Sequence, residues 1–141
     1  MTATLLYRIA AVLLVLFAAG HTYGFLNFKP PTAEALAVRD AMESVSFQFK
    51  GSGYTYGQFY KGFGLTVTAY MLFAAFLAWH LGDIARVQPQ TIGALGWAFV
   101  VVQLAALVLS LLYFFLVPAL FSGVIAICLA WAAWLAHVSP A

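Results

Sequence analysis

The sequence predicts an all-α membrane protein, an antiparallel bundle of four transmembrane helices with a long loop between the first and second. Three observations lead there. Hydrophobic residues make up 65% of the chain and charged residues only 7%, where a soluble domain carries about 25% charge. A soluble fold of 141 residues has too little interior to hide that much apolar surface. The charges are also segregated: Lys29, Glu34, Arg39, Asp40, Glu43, Lys50 and Lys61 share one stretch, leaving only Arg8, Asp83 and Arg86 elsewhere.

About 20 apolar residues cross a bilayer as a helix. The first such run covers 5–26, with Arg8 its sole charge, and the second covers 63–81 with none. A rival reading makes the first run a signal peptide, with Arg8 as positive flank and Ala18-Ala19-Gly20 as a cleavage site. Apolar character continuing to Phe25 and Leu26 favours a span. The remaining run is too long for one crossing and has Pro118 inside it. Proline suits a helix start and disrupts an interior, so spans at 91–115 and 119–137 joined as a tight hairpin are expected. One membrane domain, 1–141, results, with both termini on one side. Trp79, Trp97, Trp131 and Trp134 then fall toward the terminal side, and Tyr23, Tyr54, Tyr56, Tyr60 and Tyr113 toward the other, as interfacial aromatic belts do. Arg8 at the start of the first span favours cytoplasmic termini, although the raw Lys/Arg count favours a cytoplasmic loop.

The loop, 27–62, is long enough to carry structure of its own. After Pro30-Pro31, Thr32 is placed to cap a helix with Glu34 in its first turn. Ala35, Val38, Met42, Val45 and Phe49 recur at spacings of three and four, predicting an amphipathic helix on the bilayer surface or over the bundle mouth. Gly51-Ser52-Gly53-Tyr54-Thr55-Tyr56-Gly57 lacks the Gly-Lys-Ser/Thr ending and preceding strand of a phosphate loop. It is read as a turn seating aromatic rings.

Polar residues inside spans are the best functional pointers, because lipid penalises them. His21 lies in Gly20-His21-Thr22-Tyr23-Gly24, where two glycines four apart allow close helix approach. Thr66, Thr68 and Tyr70 begin the second span. Gln103, Ser110 and Tyr113 form one stripe on the third, and Ser122 begins the fourth. The candidate ligand site is therefore His21, Thr66, Tyr70, Gln103, Ser110 and Tyr113, lining a cavity that opens toward the loop. An ordinary use of the same groups is local hydrogen bonding, with serine and threonine bonded to their own helix.

His80 and His137 fall on the side opposite His21, so His21 shares no haem plane with either. Those two could share one with each other, but both sit at helix ends beside Trp79 and Trp134, where interfacial anchoring is the expected role. No span contains a carboxylate and no histidine pair has ligand spacing, so no metal or other cofactor is expected. Cys128 is the lone cysteine, which excludes an internal disulfide. A net charge of +2 without a basic run gives no footprint for nucleic acid.

The motifs Gly20-His21-Thr22-Tyr23-Gly24 and Phe59-Tyr60-Lys61-Gly62-Phe63-Gly64-Leu65 resemble those of small, uncharacterised four-helix proteins of the bacterial inner membrane. That resemblance implies a membrane location and no particular activity. The expected function is binding of a lipid-like or small apolar ligand, or of a partner membrane protein or second copy, at the loop-side mouth. One alternative is a small membrane enzyme acting on a lipid or isoprenoid. His21 would be its acid/base, Tyr113 or Tyr70 a hydrogen-bond donor and Lys61 an anchor, with Glu34 or Glu43 folded over the histidine. Another is an accessory subunit of a transporter.

Overall fold

The computed structural model describes residues 1–139. In chain order it contains helix α1 (Ala3–Asn27), helix α2 (Ala33–Ser44), strands β1 (Ser46–Phe49) and β2 (Ser52–Thr55), helix α3 (Tyr56–Val87), a 3-10 turn (Pro89–Ile92), and helices α4 (Gly93–Tyr113) and α5 (Leu116–Val138). Among the described residues four helices are long and apolar enough to cross a membrane: α1, α3, α4 with its 3-10 turn, and α5. The residues group into two compact units. One is Ala18–Tyr70, and the other is Met1–Phe17 with the chain from Met71 onward.

In the unit containing the chain start, four helices share one core. Leu6 and Tyr7 of α1, Leu81 of α3, and Ile125 and Leu129 of α5 are almost completely buried, with Phe99 and Val100 of α4 beside them. The small residues Ala10, Ala78, Ala132 and Ala133 let these helices approach closely. Tyr7 is admitted by Gly96, where an added Cβ would lie 2.9 Å from the phenol oxygen. Arg8 donates from Nη2 to Asp83 Oδ1 at 3.0 Å and lies over the Trp79 ring at 4.8 Å. The four tryptophans of this unit are each roughly half exposed, as rings facing lipid or its interface are.

α4 packs along α5 across a two-residue break at Phe114 and Phe115, both extended. The break precedes the position expected from Pro118, which occupies the first turn of α5. Proline costs nothing there, because the first-turn N–H groups have no intrahelical partner.

In the other unit Thr32 caps α2, accepting a hydrogen bond from the Ala35 N–H at 3.2 Å, and Glu34 sits in the first turn as expected. The expected continuation through Val45 and Phe49 is corrected: α2 ends at Ser44, Val45 is extended, and Phe49 lies in a strand. The Gly/Tyr segment forms the second strand of a hairpin, with Phe49 opposite Ser52 and Phe47 opposite Tyr54. Lys50 and Gly51 make its turn with φ of 50° and 85°, the paired positive values of a type I′ turn. Phe47, turned toward Tyr54, Tyr56 and Phe59, holds the hairpin against the start of α3.

The helix that carries the second apolar run starts ahead of that run, at Tyr56. The Thr55 hydroxyl accepts from Gln58 N–H at 3.1 Å, and the Gln58 side chain accepts from Thr55 N–H at 2.9 Å. This reciprocal capping box starts the helix directly at the end of β2.

Candidate functional site

α3 presents Gly57, Tyr60, Lys61, Gly64 and Thr68 at spacings of three and four, so they share one helix face. Each meets a side chain from another element of the same unit, or leaves space for one. At Gly57 an added Cβ would lie 2.9–3.2 Å from the Glu43 carboxylate atoms, so the missing side chain is what lets Glu43 of α2 settle there. Lys61 Nζ then meets Glu43 Oε1 at 2.7 Å. At Gly64 the Phe25 ring of α1 covers the glycine. Phe25 in turn stacks on His21, with centroids 5.8 Å apart, and tilts against Tyr60 at 5.2 Å.

His21 is half-buried, and its Nε2 lies 3.2 Å from the Gly64 carbonyl oxygen. A carbonyl only accepts, so Nε2 carries the proton and donates. One helical turn further along α3 the bonding is between hydroxyls. Thr22 Oγ1 is 2.8 Å from Ala18 O and 2.8 Å from Thr68 Oγ1, while Thr68 Oγ1 is 3.2 Å from Gly64 O. Each hydroxyl has one proton, so these three contacts share two protons, and either threonine is able to donate to the other. These bonds join α1 to α3 through groups that otherwise would have to satisfy themselves in an apolar surrounding.

Beside this junction is a cleft of about 570 Å³, within the size range of small-molecule sites. α2 contributes Ala35, Val38, Arg39, Met42 and neighbouring acids, which recur at helical spacing on one side. Phe25, Leu26 and Phe28 provide an apolar wall from α1 and the linker after it, and Tyr60 and Lys61 close it from α3. Four charged residues line it, two acidic (Asp40, Glu43) and two basic (Arg39, Lys61). Glu34, one turn away at the helix start, has its carboxyl held below the usual range by a hydrogen bond from its own backbone and then by one from Thr32.

The sequence-derived candidates fall elsewhere. His21, Thr66 and Tyr70 belong to this unit, and none of them lines the cleft. Thr66 borders a shallow hollow with Tyr54, Phe59 and Phe63, and Tyr70 is 70% exposed. Gln103, Ser110 and Tyr113 belong to the other unit. There Gln103 and Ser110 are buried on one face of α4, and Gln103 Nε2 donates to Ser122 O at 3.4 Å. Tyr113 closes the last turn of α4 and is 74% exposed. Within neither group does one candidate hydrogen-bond another. Gly20 and Gly24, expected to seat a neighbouring helix, have open space where a Cβ would stand. On the helices of this unit, close approaches occur at Gly57 and Gly64 instead.

The residues that build the cleft were present in the sequence as separate signals: the 35–38–42 stripe, Glu43, and Lys61. What was missed is their convergence, together with Phe25 and Gly57. The glycines at 57 and 64, seven apart on one helix face, are the signal that marks it. Among the described residues no group of three or more His, Cys, Asp or Glu side chains converges to hold a metal ion.

The four long apolar helices are those of an integral membrane protein, and the polar segment between the first two of them contains a helix and a hairpin. No protein-family model matches the chain, and neither curated proteins nor solved structures provide a match.

Proposed function

We propose that this protein is a non-catalytic bacterial inner-membrane protein that binds a lipid-like amphiphile in the cleft between α2, α3 and the end of α1. In this reading the spans form an antiparallel bundle with cytoplasmic termini, and α2 lies as an amphipathic element at the opposite surface. The observation that carries the proposal is the cleft itself, which is lined by apolar side chains and by four charged ones. A small apolar molecule fits the walls, and an amphiphile uses both features.

The depth of the rim supports the same reading. α3 has 32 residues, about 48 Å at the helical rise, against a hydrocarbon core of about 30 Å. Its charge-free part, 63–81, accounts for roughly that core. Lys61 and the Glu43 carboxylate bonded to it then stand at headgroup level. His21 does not line the cleft, so it is not placed to act as acid or base on a molecule bound there.

Ala35→Trp places a large ring in the cleft from its α2 wall. In purified protein it is expected to abolish binding of a fluorescent phospholipid analogue while leaving the melting temperature within a few degrees of the parent. Undiminished binding by a folded Ala35→Trp variant overturns the proposal. Orientation is read in a Cys128→Ala background by labelling Ser52→Cys and Thr2→Cys in intact cells. Ser52→Cys is expected to react without permeabilisation of the inner membrane, and Thr2→Cys only with it.

A further inference from the structure

We infer that the amphiphile is a zwitterionic glycerophospholipid, its phosphate held by Lys61 and Arg39 and its amine by Glu43 and Asp40. The inference rests on the binding reading above and specifies the chemistry of the same cleft. Both signs of charge line one cavity in equal number, so no net field selects an anionic or a cationic head. An anionic headgroup on the two basic residues would also face two carboxylates. A simple cationic amphiphile would face the two bases. A head carrying both charges a few bonds apart pairs with both sets.

The rim groups have bonding capacity left for this. Lys61 carries three donors, and Glu43 is its ion-pair partner. Arg39 Nε is 3.9 Å from Asp40 Oδ1, beyond hydrogen-bond length, so its guanidinium has donors to offer a phosphate in the forked geometry that oxyanions take. The side chains of all four are between 45% and 66% exposed, accessible to a headgroup arriving from the interface. Tyr60 adds a π face of the kind that attracts an ammonium. The cleft, about 570 Å³, accommodates a headgroup and glycerol region while the acyl chains leave along Phe25, Leu26 and Phe28 into lipid.

The test is native mass spectrometry of the full chain in nonionic detergent, with equimolar dioleoyl phosphatidylethanolamine, phosphatidylglycerol and diacylglycerol, and separately with free phosphoethanolamine. Phosphatidylethanolamine is expected to be retained about tenfold over the other two lipids, the scale of one charge-assisted contact set. Lys61→Ala and Arg39→Gln should each reduce that retention several-fold. The exchanged pair Glu43→Lys with Lys61→Glu, which keeps the rim charges balanced, should hold it within about threefold. Arg39→Gln, at an exposed position on α2, carries the test if Lys61→Ala does not fold.

Equal or greater retention of phosphatidylglycerol or diacylglycerol that Ala35→Trp still abolishes overturns the headgroup assignment and leaves the binding reading standing. Retention of every lipid unaffected by Ala35→Trp overturns both. Free phosphoethanolamine bound as tightly as the lipid overturns the assignment to a phospholipid.

Discussion

Substituting Gly64 by alanine probes the junction that shapes the cleft wall. The new methyl would lie 2.6 Å from Phe25 Cε2 and 2.7 Å from Cε1, and Cζ is also in its way. Carbon atoms rest at about 3.5–4.0 Å, so the ring must move by roughly 1 Å. The obstruction is the tip of a side chain, and the ring can swing away. What it leaves behind sets the scale: the stack on His21 and the tilted contact with Tyr60. Such pairs contribute about 0.5–1.5 kcal/mol each, consistent with about 1–3 kcal/mol for overpacking. Alanine regains about 1 kcal/mol of helix propensity over glycine, so the net loss should be about 1 kcal/mol. Phe25→Leu removes the obstructing ring atoms. In that background Gly64→Ala should become neutral or stabilising by up to about 1 kcal/mol. Equilibrium unfolding in mixed detergent micelles, run as a double-mutant cycle, measures both values. The same effect of Gly64→Ala in both backgrounds would refute the claim that Phe25 and Gly64 are in contact.

Three further outcomes follow from single contacts. Gln103→Leu should change stability by less than about 1 kcal/mol, since its bond to Ser122 O is long and hydrogen bonds between membrane helices average about 0.6 kcal/mol. A loss above about 2 kcal/mol in the same unfolding assay would show that the amide organises more than this one bond. In the hairpin, Gly51→Ala should weaken amide-exchange protection at Phe49 and Ser52 by about 1–2 kcal/mol, because φ of 85° suits glycine, whereas Lys50→Asn should preserve or raise it. Equal protection in Gly51→Ala would exclude the type I′ turn. Glu34 has a lowered folded-state pKa, so its stabilisation of α2 is present above the ordinary glutamate range and is lost as pH falls through the lowered value. Helicity of α2 should therefore decline on acidification, measured by amide chemical shifts of its first turn. Glu34→Gln should flatten that dependence, and an unchanged profile in the variant would assign the titration to another group.

The legible parts of the fold are those that depend on near neighbours in sequence. The four apolar runs and the Thr32 cap could be read directly. The capping box at Thr55 and Gln58 is equally local, but it lies inside a Gly/Tyr segment whose composition reads as a turn, so the helix extends ahead of the apolar run that marks the second span. The stripe Ala35–Val38–Met42 was legible, whereas its extension to Val45 and Phe49 was not. Spacing alone cannot show that Val45 turns extended or that Phe49 has a hairpin partner in Ser52. His21 stood out as a polar group in an apolar run, but its choice of Gly64 O depends on how α1 meets α3, 43 residues away.

The sequence by itself determined that the chain belongs in a membrane and how many times it is built to cross, because hydrophobic transfer adds up along a segment wherever that segment packs. It also determined where α2 begins, through the Thr32 side chain that bonds its own helix end. Only the tertiary structure decided which polar residues meet. Arg8 pairs with Asp83, His21 with Gly64 and Lys61 with Glu43, and each pairing joins residues from different helices. The cleft is likewise a property of convergence: Glu43 settles over Gly57 and Phe25 over Gly64 because glycine leaves room in those two places. Such fits depend on distances between helices, which no periodicity within one helix records.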